Sequence, residues 1–402
     1  MPLPFTPSGG PSYLAIPGPS VAPWQVLQAM HRPSPNIYEG ELIDMMPGLV
    51  ADLKYVARTD HQVAIYIGNG HAAWEAALAN TLAPGDLALV PATGRFAHGW
   101  ADMAEGLGVA CQILDFGKRA PWDMGQIAEA LRADTDHRIK AVLAVHVDTS
   151  TSILNDVPRL RALLDELGHP ALLMADCIAS LGCDRFEMDA WGVDVMVTGC
   201  QKGLMVPPGV SFVFFNDRAQ AVRAAMPRVS RYWDWGPRAN PEMFFQYWAG
   251  TAPTQHIYGL RAALDMIKAE GMEAIWTRHE TLARAIWAAC AIWEEGGAFE
   301  MNVADPAHRS RAVTSLRLPA PKGTELRRWV EGKLGLTLGI GLGMSTPEDP
   351  GGDGFFRFGH MGHVNGQMIM GLLGGVEAGL TALDIPHGRG ALEAAAQVIA
   401  TT

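Results

Sequence analysis

The chain has 402 residues, 49% of them hydrophobic and 18% charged, a composition that supports a large core and excludes wholesale disorder. It carries 31 basic and 42 acidic side chains, a net charge of −11. With no basic block it is a poor partner for nucleic acid or for an anionic membrane surface.

The length predicts two domains. The first twenty residues lack a basic stretch followed by an apolar run, so they do not read as a signal peptide. The longest apolar candidate, residues 368–383, is interrupted by Glu377 and rich in glycine, which predicts a buried helix and not a membrane span. The five cysteines (Cys111, Cys177, Cys183, Cys200, Cys290) show no C-x-x-C spacing. Reduced thiols in a cytoplasmic protein are the expectation, and no metal site is expected.

In chain order, residues 1–24 are rich in Pro, Gly and Ser and predict an extended arm. Residues 25–275 are expected to form a large domain. There, short apolar runs alternate with helical patterns. Strands are predicted at residues 63–68, 86–91, 111–116, 141–147, 171–175, 193–198 and 210–215, with helices following the first two. Such alternation predicts an α/β domain with a mostly parallel sheet. Residues 276–402 read as a smaller α+β domain. It is expected to hold a strand at 312–318, a helix at 324–334, a Gly-rich loop at 339–354, a strand at 355–358 and a closing helix. The domain boundary is expected inside a helix near residues 270–280.

In an open parallel sheet, ligands bind beyond the carboxyl ends of the strands. The residues just past the apolar runs are therefore the candidates. Gly70-His71 opens a helix after the first run; it is either a phosphate site or a tight turn. Asp176 ends a buried strand, and reads either as a turn cap or as a carboxylate facing a cationic ring nitrogen. Lys202 is one of seven lysines and lies between an apolar strand and the apolar stretch 203–208. Desolvation there lowers a lysine's pKa, as a Schiff-base lysine requires; the other reading is a lysine that snorkels out of a loop. A lysine, an acidic partner and a phosphate grip together describe pyridoxal phosphate.

The segment DCIASLGCDRFEMDAWGVDVMVTGCQKGLMVPPGV at 176–210 resembles the class V pyridoxal-phosphate aminotransferases, in the branch of the serine–glyoxylate and alanine–glyoxylate enzymes. Further matches are IPGPS at 16–20, GNGHAAWEAAL at 68–78, HVDTSTSI at 146–153, RYWDW at 231–235 and FFRFGHMG at 355–362. The resemblance implies the fold type I transferase architecture: a large domain with a mostly parallel seven-stranded sheet, plus a smaller C-terminal α+β domain. It implies pyridoxal 5'-phosphate on Lys202 as a Schiff base, with Asp176 at the ring nitrogen and Phe96 stacked on the ring. Gly70, His71 and Gln201 would hold the phosphate, and Ser150 would lie near the ring hydroxyl and the substrate. Thr251 would reach the phosphate of a partner subunit, so a homodimer is implied. Arg357 would clamp the substrate α-carboxylate.

The implied reaction moves an amino group from serine, alanine or aspartate to glyoxylate or a similar 2-oxo acid. Alternatives on the same fold are an unusual amine donor (pyridoxamine or ureidoglycine type) or a lyase. The last cysteine is Cys290 and the Gly-rich loop has none, which argues against a desulfurase. A regulatory role is disfavoured by the absence of a basic DNA-binding module. Two departures from the family pattern stand out. Asp148 replaces a Glu, and Ser152 stands where relatives usually have Gly. His360 and His363 have metal-like spacing but follow a strand in a turn, which predicts a structural role.

Overall fold

The computed structural model describes residues 8–401. Seven strands form the larger sheet, in the spatial order Gln62–Gly68, Gly209–Phe215, Val195–Gly199, Leu172–Asp176, Ile139–Val145, Leu87–Ala92, Ala110–Asp115. Gly209–Phe215 runs antiparallel to both its neighbours; all other pairs are parallel. Successive side chains on these strands point to opposite faces. Ile65, Leu89, Val142, Leu173 and Phe212 therefore join one core, while Ala64, Tyr66, Ala88, Leu143 and Val213 join the other. Burial on both faces explains why the runs are continuously apolar.

The parallel strands end together, so the loops that follow them meet at one edge. The connection between Val195–Gly199 and Gly209–Phe215 is the turn that carries Lys202. An antiparallel neighbour needs no crossover helix, so this turn is short and stays at that edge.

The smaller sheet has five strands, in the order Tyr13–Ala15, Leu336–Ile340, Phe355–Gly359, Val313–Arg317, Glu300–Met301. It packs on its own core with helices Lys322–Leu334, Gly366–Ala382 and Ala391–Ala400. Two features differ from expectation. The segment read as an extended arm supplies Tyr13–Ala15, which pairs in parallel with Leu336–Ile340. The predicted Gly-rich loop begins inside a strand, because Gly339 lies against the arm. A Cβ at Gly339 would come within 2.6 Å of Pro17 Cδ. The helix Met272–Glu294 serves both cores: Met272, Ile275 and Trp276 pack in the larger unit, and Leu282 onward in the smaller. No helix among the described residues is long and apolar enough to cross a membrane.

Candidate active site

Asp176 ends its strand 4% exposed. Trp74 Nε1–H donates to its Oδ2 at 3.0 Å, and the Ile178 N–H donates to its Oδ1 at 2.7 Å. Burial dominates these bonds and pushes the carboxyl pKa up to about 7; Lys202 works in the opposite direction. Lys202 alone does not offset the charge that such a buried carboxylate would carry.

Lys202 is held by its backbone as well as its side chain. The Ser20 hydroxyl donates to the Lys202 carbonyl at 2.8 Å, and the Ser20 N–H donates to the Gln201 carbonyl at 2.9 Å. Lys202 Nζ donates to the Pro17 carbonyl. Burial lowers its pKa to about 8; the positive charge of Arg357 lowers it further, and Asp176 pulls it back up. Beside it, Gln201 Oε1 is buried with no partner.

Arg357 lies on Phe355–Gly359, 5% exposed. Its Nε–H donates to the Ile340 carbonyl and one Nη1–H donates to the Thr149 carbonyl, each at 2.7 Å. Burial lowers its pKa to about 10, against the influence of Asp148. The smaller sheet thus delivers Arg357 to the edge where the larger sheet places Lys202 and Asp176.

Gly70 begins the helix Gly70–Thr81, capped by Asn69, whose Oδ1 accepts from the His71 N–H at 3.1 Å. A phosphate at that amide would compete with the cap. A Cβ at Gly70 would meet Ile178 Cδ1 at 2.3 Å, so a larger residue there would need the Ile178 side chain to move. Phe96 is half-buried and meets Trp74 edge-on at 6.2 Å. His71, Trp74, Gly94 and Phe96 line one cavity of about 530 Å³. Ser150 is buried; its hydroxyl donates to Asp148 Oδ1 at 2.5 Å and accepts from the Arg95 N–H at 3.1 Å. Thr251 is exposed and does not line this cavity.

Two groups escaped the sequence reading. Asp148 is fully buried and accepts from the Phe96 N–H at 2.8 Å, the Ala97 N–H at 3.4 Å, and both the amide and hydroxyl of Ser150. It fixes the start of the helix Arg95–Gly106, and with it Phe96. Trp74 orients the Asp176 carboxyl. Both links span more than fifty residues, so local spacing gave no signal. The His360 ring is buried, and both nitrogens are engaged: Nε2 with Thr314 Oγ1 and Nδ1 with the Arg311 carbonyl, each at 2.9 Å.

A family model described as aminotransferase class-V matches residues 40–341. The chain belongs to the class-V aminotransferases. It is 34% identical to a serine–glyoxylate aminotransferase of Methylorubrum extorquens, over 92% of this chain and 91% of that protein. It is equally 34% identical to an L-aspartate–glyoxylate aminotransferase of Paracoccus denitrificans, over 95% and 94%. The fold superposes on the crystal structure of pyridoxamine–pyruvate aminotransferase from Mesorhizobium loti with a TM-score of 0.87, at 24% identity, covering 99% of each chain. This architecture is the fold type I of pyridoxal-phosphate enzymes, and membership makes the chain a pyridoxal-phosphate-dependent aminotransferase.

The residues of this class-V aminotransferase fit that cofactor. A buried carboxyl whose pKa is raised to about 7 by desolvation would be held as the carboxylate by a cationic ring nitrogen beside it. A buried Gln201 amide oxygen without a partner marks polar capacity left unused beside Lys202. The Lys202 amine is already shifted toward its neutral form.

Proposed function

We propose that this enzyme transfers the amino group of a small L-amino acid (serine, alanine or aspartate) to glyoxylate or a similar 2-oxo acid. One observation carries the reading. The Lys202 amine sits buried, with its charge coupled to Asp176 and to Arg357. These are the neighbours that a proton carrier serving a ring-nitrogen partner and a carboxylate clamp would need.

Lys202 Nζ would bond the aldehyde carbon of pyridoxal 5'-phosphate. Asp176 would keep the ring nitrogen protonated, with Trp74 fixing the carboxyl's rotation. Phe96 would cover one ring face. Gly70, His71 and Gln201 would grip the phosphate, and Ser150 would face the ring hydroxyl. When bound, the cofactor supplies an electron sink for the α-carbanion. Arg357 would orient the α-carboxylate through its guanidinium fork. Lys202 would take the substrate α-proton and later return it, acting as base and then acid. The donor's oxo acid leaves before the acceptor enters, so the reaction runs in two halves.

The assembly we propose is a homodimer, with Thr251 of each subunit completing the other's phosphate site. Exposed Met243 (60%) and Phe245 (54%), a few residues before Thr251, support an apolar contact there. Five free cysteines support a cytoplasmic location. The test of Lys202 is borohydride reduction of the cofactor-loaded protein followed by peptide mapping. The reduced cofactor is expected on Lys202; on any other lysine it would remove the assignment.

A further inference from the structure

Arg357 accounts for one carboxylate of the substrate. A second cation, Arg95, lines the cavity that His71, Trp74 and Phe96 also line. Arg95 is exposed, and its guanidinium has no hydrogen bond and no ion pair among the described residues. The other charged groups of that cavity are already engaged or distant. His98 pairs with Asp115 at 3.2 Å, and Lys118 Nζ donates to the Ser345 carbonyl at 2.9 Å. Asp102 lies seven residues further along the helix that Arg95 begins, about 10 Å along its axis. His71 feels the Arg95 charge, which with burial lowers its own affinity for a proton.

One loop connects the two arginines. The Ile340 carbonyl accepts from Arg357 Nε. Three residues on, Gly343 packs so closely that a Cβ would lie 2.8 Å from Arg95 Cβ. Gly343 also has φ +72°, a left-handed conformation that disfavours other residues. The loop spans at most about 10 Å between the two contacts. It therefore keeps the Arg357 guanidinium and the base of the Arg95 side chain close together.

Resting on the aminotransferase reading, we propose that Arg95 binds the distal carboxylate of a dicarboxylic amino donor, while Arg357 binds its α-carboxylate. The substrate class this selects is an acidic amino acid of aspartate size. An unpaired guanidinium fork is the group that matches a carboxylate in two directions at once. Serine and alanine would leave it in water and gain nothing from it.

The experiment compares wild-type holoenzyme with Arg95→Met and Arg95→Lys, using L-aspartate, L-serine and L-alanine with glyoxylate. Arg95→Met is expected to lower kcat/KM for L-aspartate about 10- to 100-fold, the value of a lost charge-assisted contact. The rates with L-serine and L-alanine should stay within about threefold, because neither substrate has the group removed from the contact. Arg95→Lys should restore part of the aspartate rate. Succinate, a dicarboxylate with no amino group, gives a readout that needs no turnover. By calorimetry it should bind the wild-type holoenzyme and lose about tenfold or more in Arg95→Met. Equal succinate affinity in the two proteins, or an equal loss of rate on all three donors, overturns the proposal. Arg95-dependent succinate binding without transamination of any donor would instead remove the aminotransferase reading and leave the carboxylate subsite standing.

Discussion

Lys202 Nζ donates to the carbonyl oxygen of Pro17, so the N-terminal segment closes directly over the lysine of the proposed active site. That segment belongs to the smaller sheet through Tyr13–Ala15, which ties the lysine's environment to the docking of the two units. Gly18 makes the approach possible. It has φ +90°, and a Cβ there would lie 2.2 Å from Lys202 Nζ.

Gly18→Ala should displace the lysine and strain the backbone. We expect a stability loss of about 1–2 kcal/mol from the left-handed conformation. Cofactor incorporation, read by visible absorbance, should fall with it. Unchanged incorporation would show that the lysine does not depend on this contact.

The lowered pKa of Lys202 gives a signed prediction for the cofactor-free protein. The amine is cationic below about 8 and neutral above it, rather than at its usual 10.5. Acetylation of Lys202, followed by mass spectrometry against pH, should show a midpoint near 8. Arg357→Gln removes a nearby positive charge and should raise the midpoint; Asp176→Asn removes a negative one and should lower it. A midpoint indifferent to both would remove the coupling on which the proposed site rests.

Asp176 makes a second pH argument, with the opposite proton count. Its folded pKa of about 7 exceeds the ordinary 3.8. Between those values the native cofactor-free protein keeps a proton that the unfolded chain has released. The stability held by the protonated carboxyl is complete below about pH 4 and is lost as pH rises through about 7. The stability difference between wild type and Asp176→Asn should therefore change across pH 4–7, and become flat above it. Denaturant melts at four pH values read this directly.

Asp148 accepts from four donors, two of them (the Phe96 and Ala97 amides) at the helix start that carries Phe96 and two on Ser150. Asp148→Ala leaves those donors buried and unsatisfied, at a cost of about 2–4 kcal/mol. Cofactor affinity should drop as well, because Phe96 loses its anchor. Stability loss with intact cofactor affinity would confine Asp148 to a structural role.

Ser152 has φ +63°, the conformation that favours glycine at this motif position. Its hydroxyl compensates by accepting from the Ser315 N–H of the smaller sheet at 3.0 Å. Ser152→Ala keeps the strain and loses the bond, so about 1 kcal/mol of destabilisation is expected. Ser152→Gly loses the same bond and relieves the strain, and should be close to neutral. The two thermal midpoints decide whether the hydroxyl or the backbone matters more.

The sequence showed the elements whose cause is local. Runs such as VAIYIG and ALLMA are apolar throughout because both faces of the sheet are covered, and the polar residues just beyond them include those of the proposed site. What stayed hidden depends on distant approach. Tyr13–Ala15 is three residues in a Pro- and Gly-rich stretch, and its partner Leu336–Ile340 lies over three hundred residues away. That partner contains Gly339, which reads as loop until Pro17 is seen packed on it. Asp148 looked like a family departure, because its donors at Phe96 and Ala97 come from another strand's loop. The Pro17 carbonyl carries no side-chain signature at all.

The most direct measurement follows the nitrogen. The cofactor-loaded protein would be incubated with a 15N-labelled L-amino acid (serine, alanine and aspartate in turn) and glyoxylate, and the products resolved by mass spectrometry. The account predicts 15N-glycine in amounts equal to the 2-oxo acid formed from the donor. Release of 15N-ammonia without labelled glycine would contradict it and assign the same fold to elimination chemistry.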